Sequence, residues 1–369
     1  MHTLSFTGER QLRYPAPDVA RGFMLALIAL ANVPFWLRYF PEAPHAGRAA
    51  LAAMGSADQW WYLARTLFVD RRAYPLFSIL FGFGMAIMAS RTMERERRAV
   101  METFTAEEVA GWHPVQRQIL EENVERHVRR MASRLIRRRG WWMLLIGFVH
   151  GLVFPGDIIG AYGLVAVLLA NLLARKNYSV LYLIGGIISV LALATYLASG
   201  TLSGGDTLTA SGEQSVSLTV ALLWVVTNAL QWAVVLVVQV LIALIVPAAV
   251  IGARLADTDL LTHPERHRRL LISVGLGGLA LGALAAFHGA LTLATTAQLW
   301  PWDFAMTEFF GLAGACGWLA LLALYAGGPR PDGRLTGLRR LASAVGRRSM
   351  TVYLSQTNLF GSIFGVVPL

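Results

Sequence analysis

The chain has 369 residues, 56% of them hydrophobic, and a formal net charge of +10 at pH 7. This composition excludes a soluble globular fold and indicates a polytopic membrane protein, because a soluble protein of this size could not cover so much apolar surface. Its basic residues are expected to face anionic lipid, and no nucleic-acid partner is expected because no soluble basic domain is present. The single cysteine, Cys316, excludes an internal disulfide and a cysteine-built metal site, and no metal cofactor is expected.

Nine apolar segments follow one another along the chain, and each is expected to be a helix because a helix satisfies its own backbone hydrogen bonds in lipid. Their approximate ranges are 18–40, 73–91, 140–155, 158–174, 178–198, 217–253, 269–291, 303–326 and 341–367. We predict an all-α integral membrane bundle of about nine to eleven transmembrane helices, forming a single domain over residues 1–369. The sixth segment is too long for one perpendicular span. It is expected to be a tilted helix, or an interfacial helix leading into a span, with Pro247 bending its inner end.

Loop charges predict the orientation of this bundle in the membrane. Arginines crowd residues 92–139 and recur in 255–269 and 327–340, whereas 199–216 and 292–302 contain neither Lys nor Arg. Alternate loops then obey the positive-inside rule if the N-terminus is cytoplasmic.

Five arginines between the first two spans are exceptions to this rule. They indicate either an interfacial helix over 58–70 or a site for an anionic group. These residues are Arg38, Arg48, Arg65, Arg71 and Arg72.

Residues 92–139 form a polar, basic insertion that is expected to be cytoplasmic. Acidic residues such as Glu125 precede arginines such as Arg129 at helical spacing, which favours ion pairs between neighbouring turns. Two interpretations remain open: a solvated helix lying on the inner membrane surface, or a platform for a phosphorylated anionic cofactor such as coenzyme A.

The stretch 147–163 places His150 and Asp157 inside sequence that is otherwise apolar enough to lie in a bilayer. Ionisable side chains at that depth are costly, by roughly 2.5–3.5 kcal/mol each on insertion scales. His150 is expected towards the outer half of the bilayer. It is either a packed histidine with satisfied nitrogens or a general base that a carboxylate orients, and the flanking Gly147 and Gly151 leave room for a backbone or a ligand.

Other polar residues lie within the apolar segments. Asp18 and Arg21 share a face at the start of the first helix, as a capping pair or as part of a site, and Asn32 is a candidate for either interhelical packing or binding. Tyr162 lies early in its helix and could reach the same cavity as His150. Three more residues, interfacial or functional, end or begin later segments: His288, Asp303 and Glu308.

The last segment carries a polar stripe. Thr351, Ser355 and Asn358 share one helix face, and Gln356 lies near it. Such a stripe on an apolar helix predicts a wet groove or close contacts between helices.

Four motifs resemble those of the YeiB family of bacterial membrane proteins, in the same order and over almost the entire chain. They are Asp18-x-x-Arg21-Gly22 with Asn32, then Phe77-Ser78-Ile79-Leu80-Phe81-Gly82-Phe83-Gly84, then 147–163, and finally Gly346-Arg347-x-x-Met350-Thr351-x-Tyr353-Leu354-x-Gln356. Pro17 departs from the leucine usual before the aspartate, so the entry to the first helix is expected to differ. Family members typically continue past the last motif with further spans, whereas this chain ends at Leu369.

The resemblance implies a branch of the transmembrane acyltransferase superfamily. It therefore implies transfer of an acyl group from coenzyme A on the inner side to a hydroxyl or amine on the outer side. In relatives with known chemistry a histidine carries the reaction. In the lysosomal branch that histidine follows the first span, where this chain has His45, whereas the family signature itself points to His150.

We therefore expect an acyltransferase that moves an acyl group, most simply acetyl, from cytoplasmic acyl-coenzyme A to an envelope glycan or lipid. His150 would deprotonate the acceptor or briefly carry the acyl group, and Asp157 would orient it. The expected binding residues for substrate are Asn32, Tyr162, Asp18 and Gln356, and those for the donor phosphates are Arg21, Arg137, Arg138 and Arg139.

Two other classes of function remain open. A small-molecule or lipid transporter would use the histidine and aspartate as a proton relay, and a scaffold would leave His150 packed without a cavity. Membrane lipids are expected partners, and a homodimer is left open. The distance between the basic residues and His150 separates these hypotheses, because a donor held at the arginines must reach the histidine.

Overall fold

The computed structural model describes residues 14–37, 55–105, 107–108, 111–154, 156–202, 218–296, 301–329 and 335–363. We label their helices α1 (Pro15–Leu37), α2 (Ser56–Phe68), α3 (Ala73–Met101), α4 (Pro114–Gly151), α5 (Ile159–Ala174), α6 (Tyr178–Leu202), α7 (Leu218–Ile242), α8 (Ile245–Leu255), α9 (Arg268–Thr296), α10 (Pro301–Ala326), α11 (Gly337–Arg347) and α12 (Ser349–Ile363). A short 3₁₀ turn, Pro264–His267, leads into α9. These ranges contain no β-strand.

Several of these helices suit a lipid bilayer. In the described part of the chain, six stretches are long and apolar enough to cross a membrane, and the apolar helices α5 and α8 are shorter. The six stretches are Pro15–Val33, Ser56–Met101, Tyr178–Ala198, Val225–Ile242, Pro264–Leu291 and Ala305–Ala326. The prediction of an all-α, multi-pass bundle is confirmed, whereas the number of spans and the cytoplasmic N-terminus stay predictions.

The polar stretch 92–139 continues two membrane helices. Helix α4 begins with a capping box, in which His113 and Gln116 satisfy each other's backbone N–H groups and Pro114 takes the first helical position. With no proline after Pro114, α4 runs for 38 residues, about 57 Å. The stretch is thus the end of α3, a connection and most of α4.

One expected ion pair forms within α4, and a further ion pair joins α4 to α3. Within α4, Arg129 Nε lies 2.6 Å from Glu125 Oε1, as the spacing predicted. The other oxygen of Glu125 accepts a hydrogen bond from Arg97 of α3. The polar halves of α3 and α4 therefore stay together beyond the apolar part of the bundle.

The sixth apolar segment divides instead of tilting as one helix. Leu244 adopts a left-handed conformation, with φ of +53°, and separates α7 from α8. Pro247 lies in the first turn of α8, where its missing N–H has no partner to lose. The break turns α8 back against α3.

Glycines allow the central helices to touch at their backbones. A Cβ atom at Gly82 of α3 or Gly252 of α8 would lie 2.0 Å or less from a backbone oxygen of the other helix. The same holds for Gly22 of α1 and Gly346 near the end of α11. Small residues permit this close packing in lipid, where the hydrophobic effect does not drive helices together.

Two clusters of buried residues lie on either side of α3. One contains Met85, Ala86 and Ala89 with side chains of α4, α5 and α8. The other contains Leu76 and Ile79 with side chains of α1, α10 and α11. Helix α3 is consequently the centre of the bundle, and α4, α5, α11 and α12 enclose a space on its flank.

Candidate functional site

His150 lies between two polar partners on different elements. Its Nδ1 is 2.7 Å from Asp157 Oδ1, in the connection between α4 and α5. Its Nε2 is 2.8 Å from the hydroxyl oxygen of Thr357, on α12. The predicted pair of His150 and Asp157 therefore forms, and the structure adds a hydroxyl that the sequence did not indicate.

Asp157 is fixed by its position at the start of α5. Its second oxygen, Oδ2, accepts the backbone N–H of Gly160 at 2.7 Å, as a cap for the first turn of the helix. The preceding turn is closed by hydrogen bonds from Phe154 N–H to the carbonyl of His150 and from Asp157 N–H to the carbonyl of Phe154. One oxygen of Asp157 thus holds the backbone while the other orients the imidazole.

Gly147 allows this approach of α4 to α5. A Cβ atom there would lie 2.4 Å from the backbone nitrogen of Gly160 and 2.6 Å from Asp157 Oδ2. At Gly151, a Cβ atom would meet the ring of Trp232 at 2.1 Å. The room that these glycines leave is filled by a backbone and an indole ring.

The pair is buried. The side chain of Asp157 is 0% exposed and that of His150 is 7% exposed. An ionised Asp157 only accepts hydrogen bonds, so Nδ1 of His150 donates to it, and in the neutral ring Nε2 accepts from the Thr357 hydroxyl. The rings of Phe154 and Tyr353 lie with their centroids 5.7 and 5.5 Å from that of His150.

A cavity of about 1750 Å³ opens beside this site. Among its described lining residues are seven arginines and three carboxylates, so its charge is positive overall. The arginines are Arg21, Arg91, Arg95, Arg98, Arg139, Arg347 and Arg348, and the carboxylates are Asp18, Glu94 and Glu102. Apolar and aromatic side chains line the remainder, among them Phe77, Met143 and Ile158.

Tyr353 connects the cavity to the histidine. It lines the cavity and contacts His150 edge to face, whereas His150, Asp157 and Thr357 are not among the described lining residues. Thr357 follows Arg348 by nine residues, about 14 Å along a helix. The expectation that His150 lies towards the outer half of the bilayer stays a prediction.

Tyr162 lies at the same end of the cavity. It accepts a hydrogen bond from Ser78 at 3.2 Å and donates one to the carbonyl of Tyr74 at 3.2 Å. Its ring stacks on Phe81 and Phe77, at centroid distances of 4.9 and 5.7 Å. The predicted substrate residue is therefore a fixed hydroxyl beside the cavity.

The structure brings four of the predicted binding residues to the cavity: Asp18, Arg21, Tyr162 and Arg139. Arg139 shares its face of α4 with Ile136, Met143 and Ile146, which also line the cavity.

The other four predicted binding residues are not among the described lining residues. Helix geometry directs Arg137 and Arg138 to solvent. Gln356 donates to the carbonyl of Leu25 at 2.9 Å, and Asn32 is half-buried on α1.

The buried face of α12 is not the polar stripe that the sequence indicated. The predicted stripe of Thr351, Ser355 and Asn358 is exposed, although Thr351 does line the cavity at its basic end. The buried face instead carries Tyr353 and Thr357, four residues apart. That four-residue spacing is the signal in the sequence for a buried polar face, but a single threonine does not distinguish this face from the neighbouring ones.

A second polar cluster lies at the other end of α3. Buried Glu308 pairs with Arg71 and accepts a hydrogen bond from Tyr74. Arg72 is completely buried and donates to backbone carbonyls, including that of Thr66 at 3.1 Å. These arginines act as internal partners in the described structure, whereas Arg38, Arg48 and His45 lie outside the described residues.

A second histidine–aspartate pair joins α9 to α10. His288 Nδ1 lies 2.7 Å from Asp303 Oδ1. The side chain of Asp303 is 2% exposed and that of His288 is 63% exposed. Among the described residues, no three His, Cys, Asp or Glu side chains lie together in an arrangement that could hold a metal ion.

Comparison with known proteins gives two matches. Residues 255–369 match the family described as "Protein of unknown function (DUF418)". "Uncharacterized protein YeiB" of Escherichia coli (strain K12) is 24% identical over 192 residues, which is 52% of this chain and 39% of that protein. The chain therefore aligns with about two fifths of the length of this curated relative. No solved structure matches the chain.

Proposed function

We propose that this chain, which these matches and its motifs assign to the YeiB/DUF418 family, is an acyltransferase of a bacterial inner membrane. It would move an acyl group from cytoplasmic acyl-coenzyme A to a hydroxyl or amine of an envelope glycan or lipid. The observation that carries the proposal is one continuous cavity, lined by arginines at one end and by Tyr353, the neighbour of His150, at the other.

The arginine end suits the phosphates of the donor. A guanidinium group can donate two parallel hydrogen bonds to the oxygens of one phosphate. Seven arginines and three carboxylates give the cavity lining a net positive charge, which favours binding of a polyanion. Arg347 and Arg348 lie at the junction of α11 and α12, nine or ten residues before Thr357. A donor held there by its phosphates extends its acyl end towards Tyr353.

The buried end suits the chemistry of acyl transfer. His150 takes up the proton released when a hydroxyl attacks the thioester, and Asp157 keeps its Nδ1 protonated and stabilises the imidazolium that forms. Tyr162 would donate to the oxyanion by turning its hydroxyl away from the carbonyl of Tyr74, while Ser78 continues to donate to it. Exclusion of water strengthens each of these interactions.

Donor binding tests the basic end of the cavity. Arg139→Ala and Arg348→Ala should raise the Kd of acetyl-coenzyme A about 10-fold or more, since hydrogen bonds to charged groups contribute about 1.5–3 kcal/mol. Arg138→Ala is the matched control, because this neighbouring arginine is exposed and is not among the lining residues. Calorimetry on protein in lipid nanodiscs measures all three variants, and equal affinities would contradict a donor site in this cavity.

Transport is the second candidate function, and one observation favours it. The hydroxyl of Tyr74 donates to buried Glu308, which also pairs with Arg71, and intramembrane ionisable groups commonly relay protons. Reconstituted vesicles distinguish acyl transfer from transport when labelled acetyl-coenzyme A is present only on the side that exposes residues 92–139. Label covalently attached to vesicle lipid or glycan supports transfer, and proton uptake without attachment supports transport.

A further inference from the structure

We propose that Thr357 is a covalent nucleophile of the transferase, activated by His150 and carrying the acyl group between donor and acceptor. This inference rests on the proposed acyltransferase function and adds a residue and an intermediate to it. The geometry behind it is a threonine hydroxyl on Nε2 of a buried histidine whose Nδ1 is held by a buried carboxylate.

The arrangement follows the logic of a nucleophile, a base and an orienting acid. The two hydrogen bonds measure 2.8 Å, from Thr357 to His150, and 2.7 Å, from His150 to Asp157, both within reach of a proton transfer. The three residues come from the end of α4, the connection to α5, and α12. Asp157 cannot rotate away, because its other oxygen caps α5.

The hydroxyl of Thr357 differs from other hydroxyls in this bundle. In an apolar helix, Ser and Thr commonly donate to the carbonyl four residues earlier, because lipid offers no other acceptor. Among the described residues that do so, at 2.8–2.9 Å, are Ser189, Thr195 and Ser362. The hydroxyl of Thr357 instead lies against the imidazole, where its proton can be removed.

The first half-reaction loads the enzyme. Thr357 Oγ1 attacks the thioester carbonyl carbon, and Nε2 of His150 takes the hydroxyl proton. The carbon–sulfur bond breaks, and the leaving sulfur of coenzyme A takes that proton to become a thiol. Thr357 is then an acyl ester, and His150 is neutral again.

The second half-reaction discharges it. A hydroxyl or amine of the acceptor attacks the ester carbonyl and gives its proton to Nε2. The bond from carbon to Oγ1 breaks, and Oγ1 takes the proton back. Donor and acceptor therefore never need to meet, which suits a donor on one side of the membrane and an acceptor on the other.

Tyr353 lies one turn before Thr357, between the cavity and the imidazole. Rotation of this ring would open the end of the cavity to the hydroxyl, about 14 Å along α12 from Arg348. The bulkier side chain of Tyr353→Trp should therefore slow loading of the enzyme.

Mass spectrometry of the loaded protein tests the intermediate. Purified chain in nanodiscs is mixed with ¹³C-acetyl-coenzyme A or octanoyl-coenzyme A without acceptor, quenched in acid and digested. We expect about one acyl group per chain, on Thr357, with an equal burst of free coenzyme A. Thr357→Ser should still load, Thr357→Val should not, and the matched control Thr195→Val should load like wild type.

Each outcome decides between the proposals. If Thr357→Val folds, as judged by its melting temperature, and still transfers acyl groups with His150 required, the nucleophile is wrong and the transferase stands. If the acyl label is found on His150 and not on Thr357, the proposed nucleophile is likewise wrong and the transferase function stands. If wild-type chain neither loads nor transfers with either donor, the proposed function falls and this inference falls with it.

Discussion

Two histidine–aspartate pairs in this bundle have the same length and different surroundings. In both, Nδ1 lies 2.7 Å from a buried carboxylate oxygen. His150 is enclosed, with Thr357 on its second nitrogen, whereas 63% of the His288 side chain is exposed. A histidine–carboxylate pair alone therefore does not define a reactive site, and the surroundings of the second nitrogen distinguish the two.

Acyl transfer should separate the two histidines most strongly. His150→Gln should lower transfer by about 10²- to 10⁴-fold, the range typical of general acid–base catalysis. His288→Gln should leave transfer close to wild type, because no described contact links His288 to the cavity. Initial rates per folded chain in reconstituted vesicles measure both, and the reverse ranking would move the site to α9 and α10.

Stability should separate the two aspartates. In Asp157→Asn, the NH₂ group of the asparagine must face one of two buried N–H donors, that of His150 or that of Gly160. One donor then loses its acceptor, which should lower the unfolding free energy by about 1–3 kcal/mol. Asp303→Asn should cost less, because the exposed His288 ring can turn to water. Thermal melts in the same detergent compare the variants, and equal shifts in Tm would show that burial does not distinguish the pairs.

A glycine substitution tests the scaffold of the enclosed pair. Gly147→Ala places a Cβ atom 2.4 Å from the backbone of Gly160, so α4 and α5 must separate at a cost of about 1–3 kcal/mol. Gly186→Ala is the control, since nothing lies within 4 Å of its Cβ position, and should be neutral or stabilising by up to about 1 kcal/mol. A Gly147 variant as stable and active as Gly186→Ala would contradict this packing.

Asp257, a carboxylate outside the apolar helices, is a third case for comparison and should have the smallest effect on stability. Burial raises the pKa of Asp257, but hydrogen bonds from Lys176 and Tyr178 outweigh it and hold that pKa below its ordinary value. A lowered pKa stabilises the fold above the unfolded value of about 3.9, and this contribution is lost as the pH falls through the folded value. Wild type should therefore exceed Asp257→Asn in Tm at pH 7 and lose that advantage below about pH 4, and a difference independent of pH would exclude ionisation of Asp257 as its source.

Much of the architecture could be predicted from local sequence. Apolar runs and the cost of unsatisfied backbone groups in lipid predict helices, and the ion pair of Glu125 and Arg129 follows from spacing. The division of the sixth segment at Leu244 could not be predicted in this way, because a left-handed leucine depends on how α8 packs against α3.

The sequence by itself determined the helical bundle and the pair of His150 and Asp157, because both rest on short-range rules and on the cost of polar groups in lipid. Only the tertiary structure decided that Thr357 completes this pair and that Arg347 and Arg348 share a cavity with Arg139. Those residues lie about 200 positions from their partners, and the rotation of α12 about its axis depends on packing against α1, α4 and α5. A stripe on one helix shows which residues share a face, but not which neighbour that face meets.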